Sequence, residues 1–414
     1  MAVLEQASVS SVEGQGPPAG TPIRSFLLTD ESSPGMACQI ATLGATLTHL
    51  WVPDNKNQTR DVVLGFDDLR LFRSKPDPYF GASVGRTANR IAQGRFSLPD
   101  DPSVVYTLAQ NNGPNSLHGG INGLSYRNWD VVALADTPDK SARSGSSLCL
   151  TTVSDHMDQG FPGRLRVYCT FRILNSTLEI AYEAHLESRE GGSAHETTIV
   201  SLTNHAYFNL NGVPSLETPN GSSTALVTNH VLEMPTITSY LETDSTSVPT
   251  GTVLPLDQAP VMDFRTPKRI GDHLRQTPGD GRGYDHFYVA PATTNKSAQV
   301  GQQAGPAPLV DVYSPDSGIR MTMATTEPGF QLYTANWLQI EPNQFDTGAS
   351  DHSAAGHGFP HVGKARGGYE RYSGFCLEAS RFPDAINHPE WRDQVLLRHG
   401  EKYQSTTTFK FSTK

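Results

Sequence analysis

Two neighbouring stretches near the middle of the chain alternate apolar and polar residues without a break. Leu165, Val167, Cys169, Phe171 and Ile173 are separated by Arg, Tyr and Thr, and Leu178, Ile180, Tyr182 and Ala184 repeat the pattern. A period of two sends alternate side chains to opposite faces of a strand, and Asn175-Ser176 between the runs is turn chemistry. The prediction is an antiparallel hairpin with one solvated face.

Shorter runs of the same kind recur. Leu43, Ala45 and Leu47 alternate within Gln39–Val52, and Arg60–Gly65 follows a polar turn at Asp54–Gln58. Ile199, Val200 and Leu202 start a strand, and Asp285-His286 opens another. Ile319, Met321 and Met323 mark a third, and Gln331, Tyr333 and Ala335 share one face of Gly329–Trp337. A last strand covers Thr406–Phe411. Leu241–Pro255, with Pro249 and Gly251, reads mostly as loop. Residues 1–20, rich in Ser, Gly and Pro, read as a disordered leader. Residues 346–368, with His352, His357 and His361, read as a flexible surface loop. Many short strands and no convincing helix period between Gln39 and Gly65 point to an all-β protein.

Composition sharpens this picture in three places. Gly 37 and Pro 29 in 414 residues supply the turns that many short strands need. A net charge of -10 with no basic run argues against nucleic acid or an anionic membrane as partner. Cys38, Cys149, Cys169 and Cys376 are far apart with no CxxC, the usage of a reduced, cytoplasmic protein. No long apolar run marks a membrane span, and a monomer or weak dimer is expected.

Chemistry concentrates in a few of the predicted strands and turns. His205 stands among Asn204, Tyr207 and Asn209, a density of hydrogen-bonding groups that a plain core strand avoids. Asn89 lies between Arg86 and Arg90. Each Arg is a rigid donor fork for sugar hydroxyls or a carboxylate, and equally for tying a loop to the core. His118 precedes Gly119-Gly120, where missing side chains let a ligand approach the backbone. Asp285 either caps a turn or accepts bonds from hydroxyls. Glu378 shares a strand face with Gly374 and Cys376, where desolvation raises a carboxyl towards the range of a general base. The histidines of 346–368 lack an acidic or thiolate ligand set, so no metal is expected.

Taken in order, Gly85-Arg-x-x-Asn-Arg90, Leu117-His-Gly-Gly120, Thr203-Asn-His-Ala-Tyr-Phe-Asn-Leu210, Tyr284-Asp-His-Phe287, Gly329-Phe-Gln331 and Phe375-Cys-Leu-Glu378 resemble the motifs of aldose 1-epimerases, the galactose mutarotases. Phe382–Pro389 is similar too, and the likeness runs from about Thr42 to Phe411. Thr87 and Ala206 depart from it, standing where an aromatic and a Ser are usual, and 346–368 is longer than usual. The resemblance implies one large antiparallel β-sandwich over residues 21–414 with a sugar cleft. It implies interconversion of the α- and β-anomers of free aldohexoses such as glucose and galactose, with no cofactor and no metal. Carried over by motif, His205 is the general acid and Glu378 the general base, while Asn89, Arg90, His118, Tyr207, Asp285 and Gln331 hold sugar hydroxyls. The alternatives are an epimerase of hexose 6-phosphates, which needs a basic cluster, and a sugar-binding module without catalysis, which needs neither His205 nor Glu378.

Overall fold

A computed structural model describes residues 3–10, 20–33, 35–73, 78–133, 146–187, 197–213, 226–291, 307–341, 364 and 368–414. The alternating stretches form strands Arg164–Leu174 and Thr177–Glu187, paired from Arg164–Glu187 to Leu174–Thr177. Asn175 and Ser176 both have positive φ, 53° and 57°, which matches a tight two-residue hairpin turn. The apolar set is buried and the polar set half-buried except for Thr170, close to what a period of two requires.

This hairpin lies in a nine-stranded sheet, where Thr177–Glu187 also pairs with the last strand, Tyr403–Thr413. A six-stranded sheet faces it and runs Tyr207–Phe208, Phe375–Ser380, Gly329–Tyr333, Asp285–Val289, Ser239–Thr243 and Pro249–Pro255 in spatial order. All pairings between these strands are antiparallel. Leu165, Val167, Phe171, Ile180 and Phe409 from the first sheet share one buried core with Phe208, Phe330, Leu332, Phe375 and Leu377 from the second. Phe208 and Phe409 bring their ring centroids to 4.9 Å across that core. The architecture is the antiparallel β-sandwich expected. A five-stranded sheet begins at Val3–Ser10 and ends at Thr59–Asp61.

Three expectations need correction. Val3–Ser10 pairs with Pro22–Thr29, so disorder does not hold for that part of 1–20; residues 11–19 lie outside the described residues. Leu241–Pro255 is a strand pair, Ser239–Thr243 with Pro249–Pro255. Asp244 Oδ1 accepts from Thr246 N and Val248 N to make its turn. Pro249 and Pro255 are tolerated because their strand is the last of the sheet, where an absent N–H costs no ladder bond. Most of 346–368 lies outside the described residues, but Lys364 is buried. Its ammonium pairs with Asp61 at 2.8 Å and donates to Thr48 O at 2.6 Å. A buried ammonium requires such partners.

All four cysteines are buried and none forms a disulfide. No helix among the described residues is long and apolar enough to cross a membrane.

Candidate active site

Beyond the strand Thr197–Ile199 the chain pairs with residues 81–84 as far as His205 and then changes partner. His205 N–H donates to Ala82 O and Gly81 N–H donates to His205 O. Thr203–Asn204 pairs with Ser83–Val84, and Tyr207–Phe208 with Phe375–Cys376. Only glycine fits at position 81: its φ is +61°, and a Cβ there would stand 1.9 Å from Leu47 O. Next to it on the six-stranded sheet, the register sets Gln331 opposite Glu378 and Asp285 opposite Tyr333. Phe375 and Leu377 point to the core, which leaves Cys376 and Glu378 on the His205 side.

One cavity of about 370 Å³ opens there, and His205, Glu378, Asn89, Arg90, His118, Tyr207, Asp285 and Gln331 all line it. These are the residues singled out in the sequence, drawn together from positions 89 to 378. His205 Nε2 is 3.7 Å from Glu378 Oε2, both side chains buried. Asn89 Nδ2 donates to Gln331 Oε1 at 3.1 Å, and Gln331 Nε2 donates to Asp285 Oδ1 at 2.6 Å. This relay fixes three polar side chains along one wall. Arg90 Nε donates to Asn112 Oδ1 at 2.9 Å.

Burial raises the Glu378 carboxyl to about 8, with Asp285 adding to the rise and Arg90 opposing it. Burial also pushes His118 well below its ordinary value, helped by His205 and Arg90. Cys376 Sγ lies 3.6 Å from His205 Nδ1; burial, Glu378 and Asp285 raise the thiol, so it stays protonated.

One sequence reading changes, at Gly119–Gly120, and the choice left open at Arg86 falls to loop-tying. Gly119 and Gly120 admit the protein's own chain rather than a ligand: a Cβ on Gly119 would meet Gly85 O at 1.9 Å, and one on Gly120 the Gln159 side chain. Arg86 is not in the pocket; its buried guanidinium donates to the carbonyls of Pro162, Ser154, Asp155 and Gly163 and ties loops to the core. Pattern reading missed Tyr79, Trp337, Leu338, Gln339 and Ile340, which also line the cavity. They stand in turns or just past strand ends, where periodicity carries no signal.

The fold does assemble a trio of metal-ligand type, which the sequence did not reveal: His118, His205 and Glu378 present ligand atoms within 4.8 Å of one another. The trio does not fit an ion well. His118 Nδ1 accepts from Asn89 N–H at 3.3 Å, so the neutral ring carries its proton on Nε2. That nitrogen is then a donor and offers no lone pair.

An antiparallel β-sandwich whose polar cleft sets a carboxyl opposite an imidazole is an arrangement suited to a carbohydrate enzyme. The sequence profile of the family described as Aldose 1-epimerase matches residues 27–410. Galactose mutarotase of Bos taurus is 35% identical over 396 residues, covering 95% of each chain. That of Homo sapiens is 34% identical over 407 residues, 98% of this chain and 99% of the relative. Aldose 1-epimerase of Escherichia coli (strain K12) is 29% identical over 398 residues, 95% and 96% of the two chains. Among solved structures, a GalM/aldose epimerase homologue from C. elegans superposes with a TM-score of 0.71 at 26% identity over 98% and 99% of the chains. The chain belongs to the aldose 1-epimerase family, and it is an isomerase that interconverts aldose anomers.

Proposed function

We propose that Glu378 is the general base and His205 the general acid in the interconversion of free aldohexoses such as glucose and galactose, without metal or cofactor. Asn89, Arg90, His118, Tyr207, Asp285 and Gln331 hold the sugar hydroxyls. The observation that carries the reading is the 3.7 Å approach of His205 Nε2 to Glu378 Oε2 in a cavity lined by those six residues.

Ionised Glu378 takes the proton of the anomeric hydroxyl while His205 Nε2 gives one to the ring oxygen, and the C1–O5 bond breaks. Rotation about C1–C2 turns the other carbonyl face to the C5 hydroxyl. On closure His205 takes back the hydroxyl proton and Glu378 returns its own to the carbonyl oxygen. No atom is gained or lost. Each positioned proton transfer contributes about 10² to 10⁴ in rate.

A single domain over residues 21–414 is part of the proposal, supported by one core that includes Phe26 and Phe411. So is a cytoplasmic location, supported by four cysteines without a disulfide.

Optical rotation of fresh α-D-glucose and α-D-galactose tests the roles. Glu378→Gln keeps the shape and one acceptor but takes no proton, so turnover is lost while calorimetric sugar binding persists. A folded Glu378→Gln enzyme at the wild-type rate would show the assignment to be wrong.

A further inference from the structure

The cavity wall contains an aromatic side chain that the proton transfers above do not use. Tyr79 sits at φ 59°, in the left-handed region, where a bulky side chain is held only by surrounding constraint. Ala82 N–H donates to Tyr79 O and closes a tight turn that presents the ring to the cavity. The ring lies nearly parallel to His205, 6.0 Å between centroids and 22° between planes. Tyr207 is stacked on His205 as well, at 5.0 Å and 21°. Tyr79 also meets His118 edge-on at 4.9 Å. A wall residue that only excluded water would need neither the strained turn nor contact with both imidazoles.

We propose that Tyr79 is a positioning residue for His205, whose stacked ring holds the imidazole in the orientation of a proton donor and favours its cationic form. The proposal rests on His205 being the acid. An aromatic face attracts a cation through its quadrupole, and more strongly where both are shielded from water. The groups facing His205 divide in their effect. The two tyrosine faces favour an imidazolium, as do Glu378 at 3.7 Å once it is ionised and Asp285 farther along the wall. Arg90 opposes it; the His118 ring, 5.2 Å away between centroids, is neutral, and the Cys376 thiol at Nδ1 is uncharged. Against Arg90 and the burial of the ring, two stacked aromatic faces keep the acid form available.

Two readouts separate this role from a merely structural one. In Tyr79→Leu, kcat on α-D-glucose falls about 10- to 100-fold, the cost of misplacing a catalytic group by about an ångström, with KM little changed. The imidazole titration of His205, followed by NMR with labelled histidine and assigned by its loss in His205→Asn, moves to lower pH by about half to one pH unit, the equivalent of one cation–π contact. Tyr79→Phe keeps the ring and restores both values. Tyr79→Met fills the space without a π-face and gives the same pair of readouts should Tyr79→Leu not fold. An unmoved His205 titration in a folded, ring-free variant, beside an inactive His205→Asn enzyme, would overturn this proposal alone. A fully active His205→Asn enzyme would overturn the acid assignment and this proposal with it.

Discussion

Burial and the nearby Asp285 raise the Glu378 carboxyl to about 8, against the pull of Arg90. At pH 7 roughly a tenth of the protein then has its base ionised. The pH profile of kcat/KM reports groups of the unliganded enzyme, so its acid limb is expected to be centred near 8. A limb between pH 4 and 5 would mean that Glu378 is not the group whose ionisation limits the rate. The same shift acts on stability. A carboxyl raised from 4.5 to about 8 contributes stability that is fully present below 4.5 and lost as pH rises through 8. Replacing it by Gln removes that loss, so the thermal stability of Glu378→Gln relative to wild type grows between pH 5 and pH 9, by an order of a few kcal/mol. The direction of the shift was legible in the sequence, because Glu378 shares a strand face with Gly374 and Cys376. Asp285 joined it in the site only through the family resemblance, since their proximity depends on the register of three strands that are far apart in sequence. Tyr79 was invisible for a related reason: a ring in a tight turn carries no periodic signal.

Strands with two unlike faces announced themselves, and elements fixed by tertiary partners did not. The Arg164–Glu187 hairpin was readable to within a residue because burial alternates along nearly all of it, Thr170 being the exception. The pair at Ser239–Pro255 was hidden by prolines that an edge strand accepts. The short paired segments around His205 follow from the chain at residues 81–84, and Gly81 is the node of that arrangement. Gly81 N–H donates to His205 O, while Leu47 N–H and Asn204 Nδ2 donate to Gly81 O. Gly81→Ala would put a methyl 1.9 Å from Leu47 O at a φ of +61°. The expected loss is roughly 2–4 kcal/mol of stability, read by denaturant unfolding, and His205 should shift with its backbone anchor. A loss below about 0.5 kcal/mol would show that the strand Thr46–Pro53 can retreat from the contact, and that His205 is positioned from elsewhere.

Across the whole molecule the charge distribution bears on which sugars the cleft accepts. The net charge is -10, and among the described residues lining the cavity Arg90 is the one Lys or Arg, against the carboxyl groups of Asp285 and Glu378. Arg90 is already engaged: its Nε donates to Asn112 Oδ1 and its Nη1 approaches Asn89 Oδ1 at 3.5 Å. A sugar phosphate brings about -1.5 to -2 charges at neutral pH and three strong acceptor oxygens. Sites that recognise phosphate answer with clustered Arg or Lys or with several backbone N–H groups, and a single committed guanidinium beside two carboxyls does not. Desolvating the phosphate would then go uncompensated. The hydroxyls of a free hexose, on the proposed reading, would instead meet the amides of Asn89 and Gln331, already fixed by their relay to Asp285. The expected kcat/KM for α-D-glucose 6-phosphate is at least about tenfold below that for α-D-glucose, a discrimination of about 1.4 kcal/mol or more. The preference should weaken at high ionic strength, because screening reduces the repulsion from the acidic wall. An equal or higher kcat/KM for the phosphorylated sugar would locate a basic anchor outside the described residues and reassign the substrate class.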